Sequence, residues 1–237
     1  MGGRVSLRQS QNGYRAGLDA ALLAAAVELS PGERGIEPGC GPGAALLQVA
    51  KRVSDANLVG VERDPEALAL AQANIVENHL TDRVQALAGD VAQPFSRLGL
   101  APFDASFANP PYFDDAAAIR GPNPERKGAW IADDGLAAWI GFLSKSVREG
   151  GRITLIHRAD RLADILALLA PKAGSFRVRP VHPFADAPAK RVLVRAVKTG
   201  KAPLVLLPPL ILRQRTVDAH TPEMDAVFRG ESRIDWT

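Results

Sequence analysis

One cysteine, Cys40, stands in 237 residues, so no internal disulfide is possible. Four scattered histidines and that one thiol cannot make a cysteine-type zinc site, and no metal is expected. No stretch approaches the roughly 20 continuous apolar residues of a membrane span. The longest candidate, Leu18 to Leu29, is shorter and carries Asp19 and Glu28. Arg4 and Arg8 are not followed by an apolar segment, so the N-terminus does not read as a secretory signal. Repeats and low-complexity tracts are absent. A reduced, cytoplasmic compartment, no membrane and a monomer are the expectations. With 46% apolar and 23% charged residues, the chain is not disordered and is long enough for a sizeable core.

Charge is unevenly distributed. Residues 1–140 carry 12 basic and 17 acidic residues, and residues 141–237 carry 17 and 9. A basic C-terminal half on a chain of net charge +3 points to a polyanionic partner on one side.

Strand and helix signals alternate. Helices are predicted over Asp19 to Leu29, Ala44 to Val53, Pro65 to His79, Asp134 to Val147 and Arg161 to Leu169. Strands are predicted over Arg34 to Pro38, Asn57 to Glu62, Val84 to Leu87, Phe103 to Ala108 and Arg152 to His157. Two further strands, Ser175 to His182 and Lys190 to Val197, are joined without a helix. The order argues an α/β fold with a mostly parallel sheet, helices on both faces and a C-terminal antiparallel hairpin. Residues 1–33 read as an N-terminal cap segment of a domain over 1–200. The segment 201–237 reads as a tail packing on it, and Pro208-Pro209 keep its apolar run out of a central strand. The Pro/Gly-punctuated stretch Asn109 to Trp130 reads as a loop or lid.

Chemistry concentrates at strand ends. Glu37-Pro38-Gly39-Cys40-Gly41-Pro42-Gly43 joins the first strand to the next helix, and its glycines allow a sharp turn and close ligand approach. Glu62 ends the second strand, where an acid accepts hydrogen bonds from ribose hydroxyls. Asp90 and Val91 follow the third strand, where a carboxylate meets an adenine amino group. A glycine turn, a ribose acid and an adenine acid in strand order describe an adenosine site. The spacing is GxGxG rather than GxGxxG, and Glu37 before the first glycine would repel a pyrophosphate. Glu37 suits instead the sulfonium and ammonium of S-adenosylmethionine. Cys40 beside these acids reads as a packing residue, since they raise its pKa.

Directly after the fourth strand stands Asn109-Pro110-Pro111-Tyr112. The prolines stiffen the turn, so the Asn109 side chain and the Pro110 carbonyl point in set directions. Two acceptors facing an amino group on an sp2 carbon accept hydrogen bonds from both its N–H groups and free its lone pair for attack on a methyl sulfonium. Tyr112 offers a face for stacking a base, for which the ring and not the hydroxyl is needed. Neither a metal nor a covalent enzyme intermediate is required.

The glycine turn resembles motif I of class I methyltransferases, with Pro38 and Pro42 as departures. The NPPY tetrapeptide is similar to that of adenine N6-, guanine N2- and release-factor glutamine methyltransferases. Gln11-Asn12-Gly13-Tyr14-Arg15-Ala16-Gly17-Leu18-Asp19-Ala20, followed by Ala21-Leu22-Leu23-Ala24-Ala25, resembles the GYRxGxDAxLLAA segment of the bacterial tRNA1(Val) adenine N6-methyltransferase family. Residues 150–157 and 188–194 resemble it as well. The resemblance implies a Rossmann-like, seven-stranded domain that binds S-adenosylmethionine and methylates N6 of an adenine at position 37 of a tRNA anticodon loop. It implies catalytic roles for Asn109, Pro110 and Tyr112. Cofactor contacts fall to Tyr14, Arg15, Glu37, Gly39, Gly41, Gly43, Glu62, Asp90, Val91 and Asn109. Pro111 and Tyr112 would meet the base, and Lys190, Arg191 and Arg195 the tRNA phosphates. Arg120, Arg126, Lys127 and Trp130 fall on the expected lid. Open alternatives are an rRNA guanine or release-factor glutamine acceptor, and an S-adenosylmethionine-binding module without catalysis.

Overall fold

The computed structural model describes residues 3–10, 17–112, 135–217 and 219–237. Its chain order is α1 (Leu18–Ala26), β1 (Arg34–Pro38), α2 (Ala44–Arg52), β2 (Asn57–Glu62), α3 (Pro65–Glu77), β3 (Val84–Ala88) and β4 (Phe103–Ala108). Then follow α4 (Leu136–Ser146), β5 (Val147–Arg158), α5 (Leu162–Leu169), β6 (Ala173–His182) and β7 (Arg191–Lys198). Short strands β8 (Val205–Leu206), β9 (Leu210–Ile211), β10 (Arg213–Gln214) and β11 (Ala219–His220) precede α6 (Pro222–Arg229).

The main sheet runs β3-β2-β1-β4-β5-β7-β6-β8, with β9 also on β6. From β3 to β5 every pairing is parallel, and β7 pairs antiparallel with both β5 and β6. The seven long strands and the antiparallel pair are those expected from sequence. The hairpin is folded inward, so that β7 rather than β6 borders β5. The tail adds two two-residue edge strands beyond the seven. Pro208 and Pro209 fall between them, on an edge where a missing N–H breaks no ladder.

Each sheet face carries its own core. α1, α2, α3 and α6 cover one face together with Ile234 and Trp236. α4 and α5 cover the other, with Phe95, Phe103 and Phe142 packed edge to face. Local signals explain the boundaries. The Asp64 carboxylate caps α3 by accepting from the N–H groups of Glu66 and Ala67, and Pro65 opens the first turn. α1 ends at Ala26, before the expected Leu29. β5 begins at Val147, five residues before the expected Arg152, because Gly150 and Gly151 form an irregularity inside the strand instead of stopping a helix. Gly150 adopts φ 73°, and a Cβ on Gly151 would lie 2.8 Å from the Arg148 carbonyl. No described helix is long and apolar enough to cross a membrane.

β1 lies between β2 and β4, the place where strand order reverses. In open α/β sheets, ligands bind outside the carboxyl ends of the strands at such a reversal. The glycine turn and the NPPY turn leave the sheet at this point.

Candidate active site

The turn after β1 is built on three left-handed glycines, with φ of 63° at Gly39, 54° at Gly41 and 88° at Gly43. A Cβ on Gly39 would sit 2.2 Å from the Trp139 ring, whereas Gly41 faces open space. Neighbours hold the turn in place. The Gly41 N–H donates to Glu62 Oε2 at 2.8 Å, and the buried Asn74 donates to the Pro42 carbonyl at 2.9 Å. Glu62 Oε1 accepts from the N–H groups of Arg63 and Asp64. Glu62, read from sequence as a ribose acid, therefore also shapes the loop. Oε1 already takes two hydrogen bonds and Oε2 one.

Glu37 is 4% exposed, and its Oε2 has no hydrogen-bond partner among the described residues. Burial pushes its carboxyl well above the ordinary range; the Leu46 N–H eases this and the nearby Glu62 carboxylate adds to it. Cys40 is buried with its sulfur against Gly60, where a Cβ would lie 2.7 Å away. Burial, then Glu37 and Glu62, push its thiol well up, as expected of a packing residue. Asp90 follows β3; its Oδ1 accepts from the Ala92 N–H at 2.8 Å, and its Oδ2 lies 3.8 Å from Arg63. Val91 is buried beside it.

Ile36 pairs with Ser106, and continuing that register by three residues sets Gly39 beside Asn109. The two turns thus leave adjacent strands at one level. Pro110 is buried, Pro111 exposed, and Asn109 and Tyr112 half-buried. The Tyr112 hydroxyl donates to Asp19 Oδ2 on α1 at 2.6 Å. Arg191 on β7 donates to the same oxygen at 3.0 Å, and its guanidinium lies 4.8 Å from the Tyr112 ring centre. The Tyr112 ring meets His157, at the end of β5, edge to face at 5.0 Å. His157 is 2% exposed, and neither ring nitrogen finds a partner among the described residues. Burial, then the charges of Arg161 and Arg158, lower its pKa to about 4.

The other residues expected to contact substrate are placed as follows. Arg195 forms an ion pair with Glu28. Lys190 is exposed and pairs with no carboxylate among the described residues. Tyr14 and Arg15, and Arg120, Arg126, Lys127 and Trp130 of the expected lid, lie outside the described residues. Sequence reasoning missed Asp19 as a partner of Tyr112, and it missed Asn74, Trp139 and His157. Only Asp19 had a signal, its place in the GLDA segment.

Residues 29–127 match the methyltransferase domain family model. A predicted O-methyltransferase of Agrobacterium tumefaciens superposes with a TM-score of 0.76 at 28% identity, over 91% of this chain and 98% of that one. Fold, strand order and glycine turn together give the chain the architecture of class I, Rossmann-like methyltransferases. Within that class, its curated relatives include tRNA1(Val) (adenine(37)-N6)-methyltransferases. That of Haemophilus influenzae is 30% identical over 63% of this chain and 64% of its own length. That of Porphyromonas gingivalis is 29% identical over 80% and 77%. The resemblance drawn from the GYRxGxDAxLLAA segment and NPPY is borne out. The alignment spans just under two thirds of the Haemophilus relative's length.

S-adenosylmethionine is the methyl donor of this class, and the turn after β1 fits it. Gly41 leaves room for a ligand, and the buried Glu37 oxygen, without a partner among the described residues, suits a methionine ammonium or sulfonium.

Proposed function

We propose that this protein transfers the methyl group of S-adenosylmethionine to N6 of an adenine in tRNA, at position 37 of the anticodon loop of a valine tRNA. The observation that carries this is the NPPY turn at the end of β4, level with the glycine turn of β1. Bound S-adenosylmethionine supplies an electrophilic methyl group on a cationic sulfur. Glu37 faces the cationic methionine end, Glu62 the ribose, and Asp90 with Val91 the adenine. Asn109 Oδ1 and the Pro110 carbonyl accept hydrogen bonds from the two N–H groups of the acceptor amine, which directs its lone pair at the methyl group; the S–CH3 bond breaks as N–CH3 forms, S-adenosylhomocysteine leaves and the surplus N–H proton passes to water. Tyr112 stacks on the acceptor ring, flanked by Pro111. An anticodon-loop adenine is largely single-stranded, so extruding it into this pocket costs less than from a duplex. The names of the relatives support the adenine and the tRNA over a guanine or a glutamine acceptor.

Asn109 acts where charge develops, so Asn109→Ala should lower kcat about 10²–10³-fold, more than it weakens cofactor binding. Tritium transfer from labelled S-adenosylmethionine into tRNA but not into release factor, followed by nucleoside mass spectrometry, tests the assignment. Label in N2-methylguanosine or in protein would overturn it. An Asn109→Ala variant of wild-type rate would overturn the amino-group mechanism.

A further inference from the structure

Arg191 and Lys190 are neighbours at the N-terminal end of β7, and both line a cleft of about 340 Å³ with Gly17, Asp19, Val181 and Leu212. Adjacent basic residues beside an RNA-methylating pocket would ordinarily share the phosphates. Their surroundings differ here. The Arg191 Nε donates to Asp19, an Nη donates to the Lys190 carbonyl, and the guanidinium plane covers the Tyr112 ring. The Asp19 side chain is only 11% exposed, so drawing Arg191 away to a phosphate would strand a buried carboxylate. Lys190 holds no such charge in place among the described residues.

We propose that Asp19 and Arg191 are positioning residues of the acceptor pocket, acting through Tyr112, while Lys190 takes the RNA phosphate beside them. This rests on the reading of the NPPY pocket as a site for a base in RNA. Tyr112 is anchored at both ends: Pro110 and Pro111 fix its backbone approach, and Asp19 fixes its hydroxyl, 93 positions away in sequence. At 2.6 Å the hydroxyl contact lies in the range of charge-assisted O–H···O⁻ bonds. Asp19 in turn is oriented by Arg191, so α1 and β7 together set the plane of a ring that belongs to neither. A stacking ring of fixed plane needs no reordering when the base arrives. The hydroxyl, dispensable for stacking as such, becomes the handle by which the plane is set. This gives the GLDA segment a place in acceptor recognition.

Three measurements test the proposal: single-turnover methyl transfer to tRNA, tRNA affinity across salt, and fluorine resonances of protein labelled with 3-fluorotyrosine. The chain has two tyrosines, Tyr14 and Tyr112, so Tyr112→Phe assigns the spectrum. Asp19→Asn, Arg191→Gln and Tyr112→Phe should each slow single-turnover transfer about 10- to 100-fold, the loss of one hydrogen bond to a charged group. Cofactor affinity and the salt slope of tRNA binding should stay at wild-type values. Asp19→Asn combined with Tyr112→Phe should be no slower than the slower single variant, because both remove one contact. Arg191→Lys, which keeps the ion pair, should recover part of the rate. Lys190→Ala should flatten the slope of log affinity against log salt by about 0.7–0.9. Asp19→Asn should move the Tyr112 resonance in the free protein, a readout independent of turnover. A flattened slope with wild-type transfer in Arg191→Gln, or a stationary Tyr112 resonance, would overturn the proposal. A wild-type protein that methylates no RNA would instead bring down the functional reading, and the proposal with it.

Discussion

Glu37 is a carboxylate held where a carboxylate is costly. It is 4% exposed, and one oxygen lacks any partner among the described residues. Its raised pKa has a definite sign for stability. Below the ordinary value of 4.5 the group is protonated in both folded and unfolded chains. Above it, the unfolded chain releases the proton while the folded chain keeps it, so folding weakens as pH rises toward the raised folded pKa. Glu37→Gln should therefore be more stable than wild type at neutral pH without ligand, by a margin that grows from pH 5 to pH 7 in urea titrations. The same variant should lose most of its S-adenosylmethionine affinity by calorimetry, because the amide cannot offset the ligand's positive charge. Equal stabilities at both pH values would mean that the site does not strain its acid. His157 works in the opposite sense. Its pKa falls from 6.5 to about 4, so the stability present above pH 6.5 is lost as pH drops through the folded value. That shift corresponds to about 3 kcal/mol. His157→Phe keeps an aromatic edge against Tyr112 and removes the titration, so its acid destabilisation between pH 7 and pH 4 should be smaller than wild type's by about that amount.

At the scale of elements, α1 shows what one sequence can and cannot reveal. Its alanine- and leucine-rich run announces a helix, and eight of its nine residues are buried. Nothing in that run says what holds it. Arg191 pairs with Asp19 at its start, and Arg195 with Glu28 just beyond its end. Four strand steps at about 3.3 Å match the length of a nine-residue helix at 1.5 Å per residue, so one face of β7 clamps both ends. These are the arginines that the charge pattern assigned to phosphates, since charge counts do not show where the counter-ion stands. β1, β2 and β4 were legible to the residue, because central parallel strands are continuous apolar runs cut by glycine or proline. β5 was not, since a glycine pair signals a helix stop and a strand irregularity alike. α6 was legible but unread: Thr221 caps it, Pro222 opens it and Gly230 closes it. The tail after it closes on α1, where the Trp236 indole donates to the Ala26 carbonyl at 2.8 Å and the Ile234 N–H to that of Ala25. Trp236 is 4% exposed, so Trp236→Ala should cost about 3–5 kcal/mol in urea unfolding at constant m-value. A loss below 1 kcal/mol would show that α1 does not depend on the tail.

Across the whole molecule, the charge asymmetry must be divided by position along the sheet. β7 pairs Arg191 with Arg158 at one end and Val197 with Arg152 at the other. The Arg191 end is the one that carries His157, Tyr112 and the NPPY turn. The opposite end, with Lys198 and Lys201, lies about 20 Å away at 3.3 Å per residue. Lys190 stands at the active end. So does Arg213, whose N–H donates to the Pro183 carbonyl just beyond β6. Lys172 lies at the far end, where its carbonyl accepts from the Thr199 N–H after β7. On the proposed function, a tRNA presenting one extruded base to the NPPY pocket has its nearest phosphates at this end. The double replacement Lys190→Glu with Arg213→Glu should therefore weaken tRNA binding strongly at low salt. Removing two phosphate contacts should flatten the slope of log affinity against log salt by about 1.4–1.8. The double replacement Lys172→Glu with Lys201→Glu changes net charge equally and should leave that slope near the wild-type value. Comparing pairs of equal charge separates local contact from long-range attraction, which acts on both and fades beyond a Debye length of about 8 Å at physiological salt. Equal losses from the two pairs would mean that the basic half draws RNA in by its overall field. A loss confined to the far-end pair would move the tRNA footprint to the opposite edge of the sheet, away from the asparagine and tyrosine that are to act on its base.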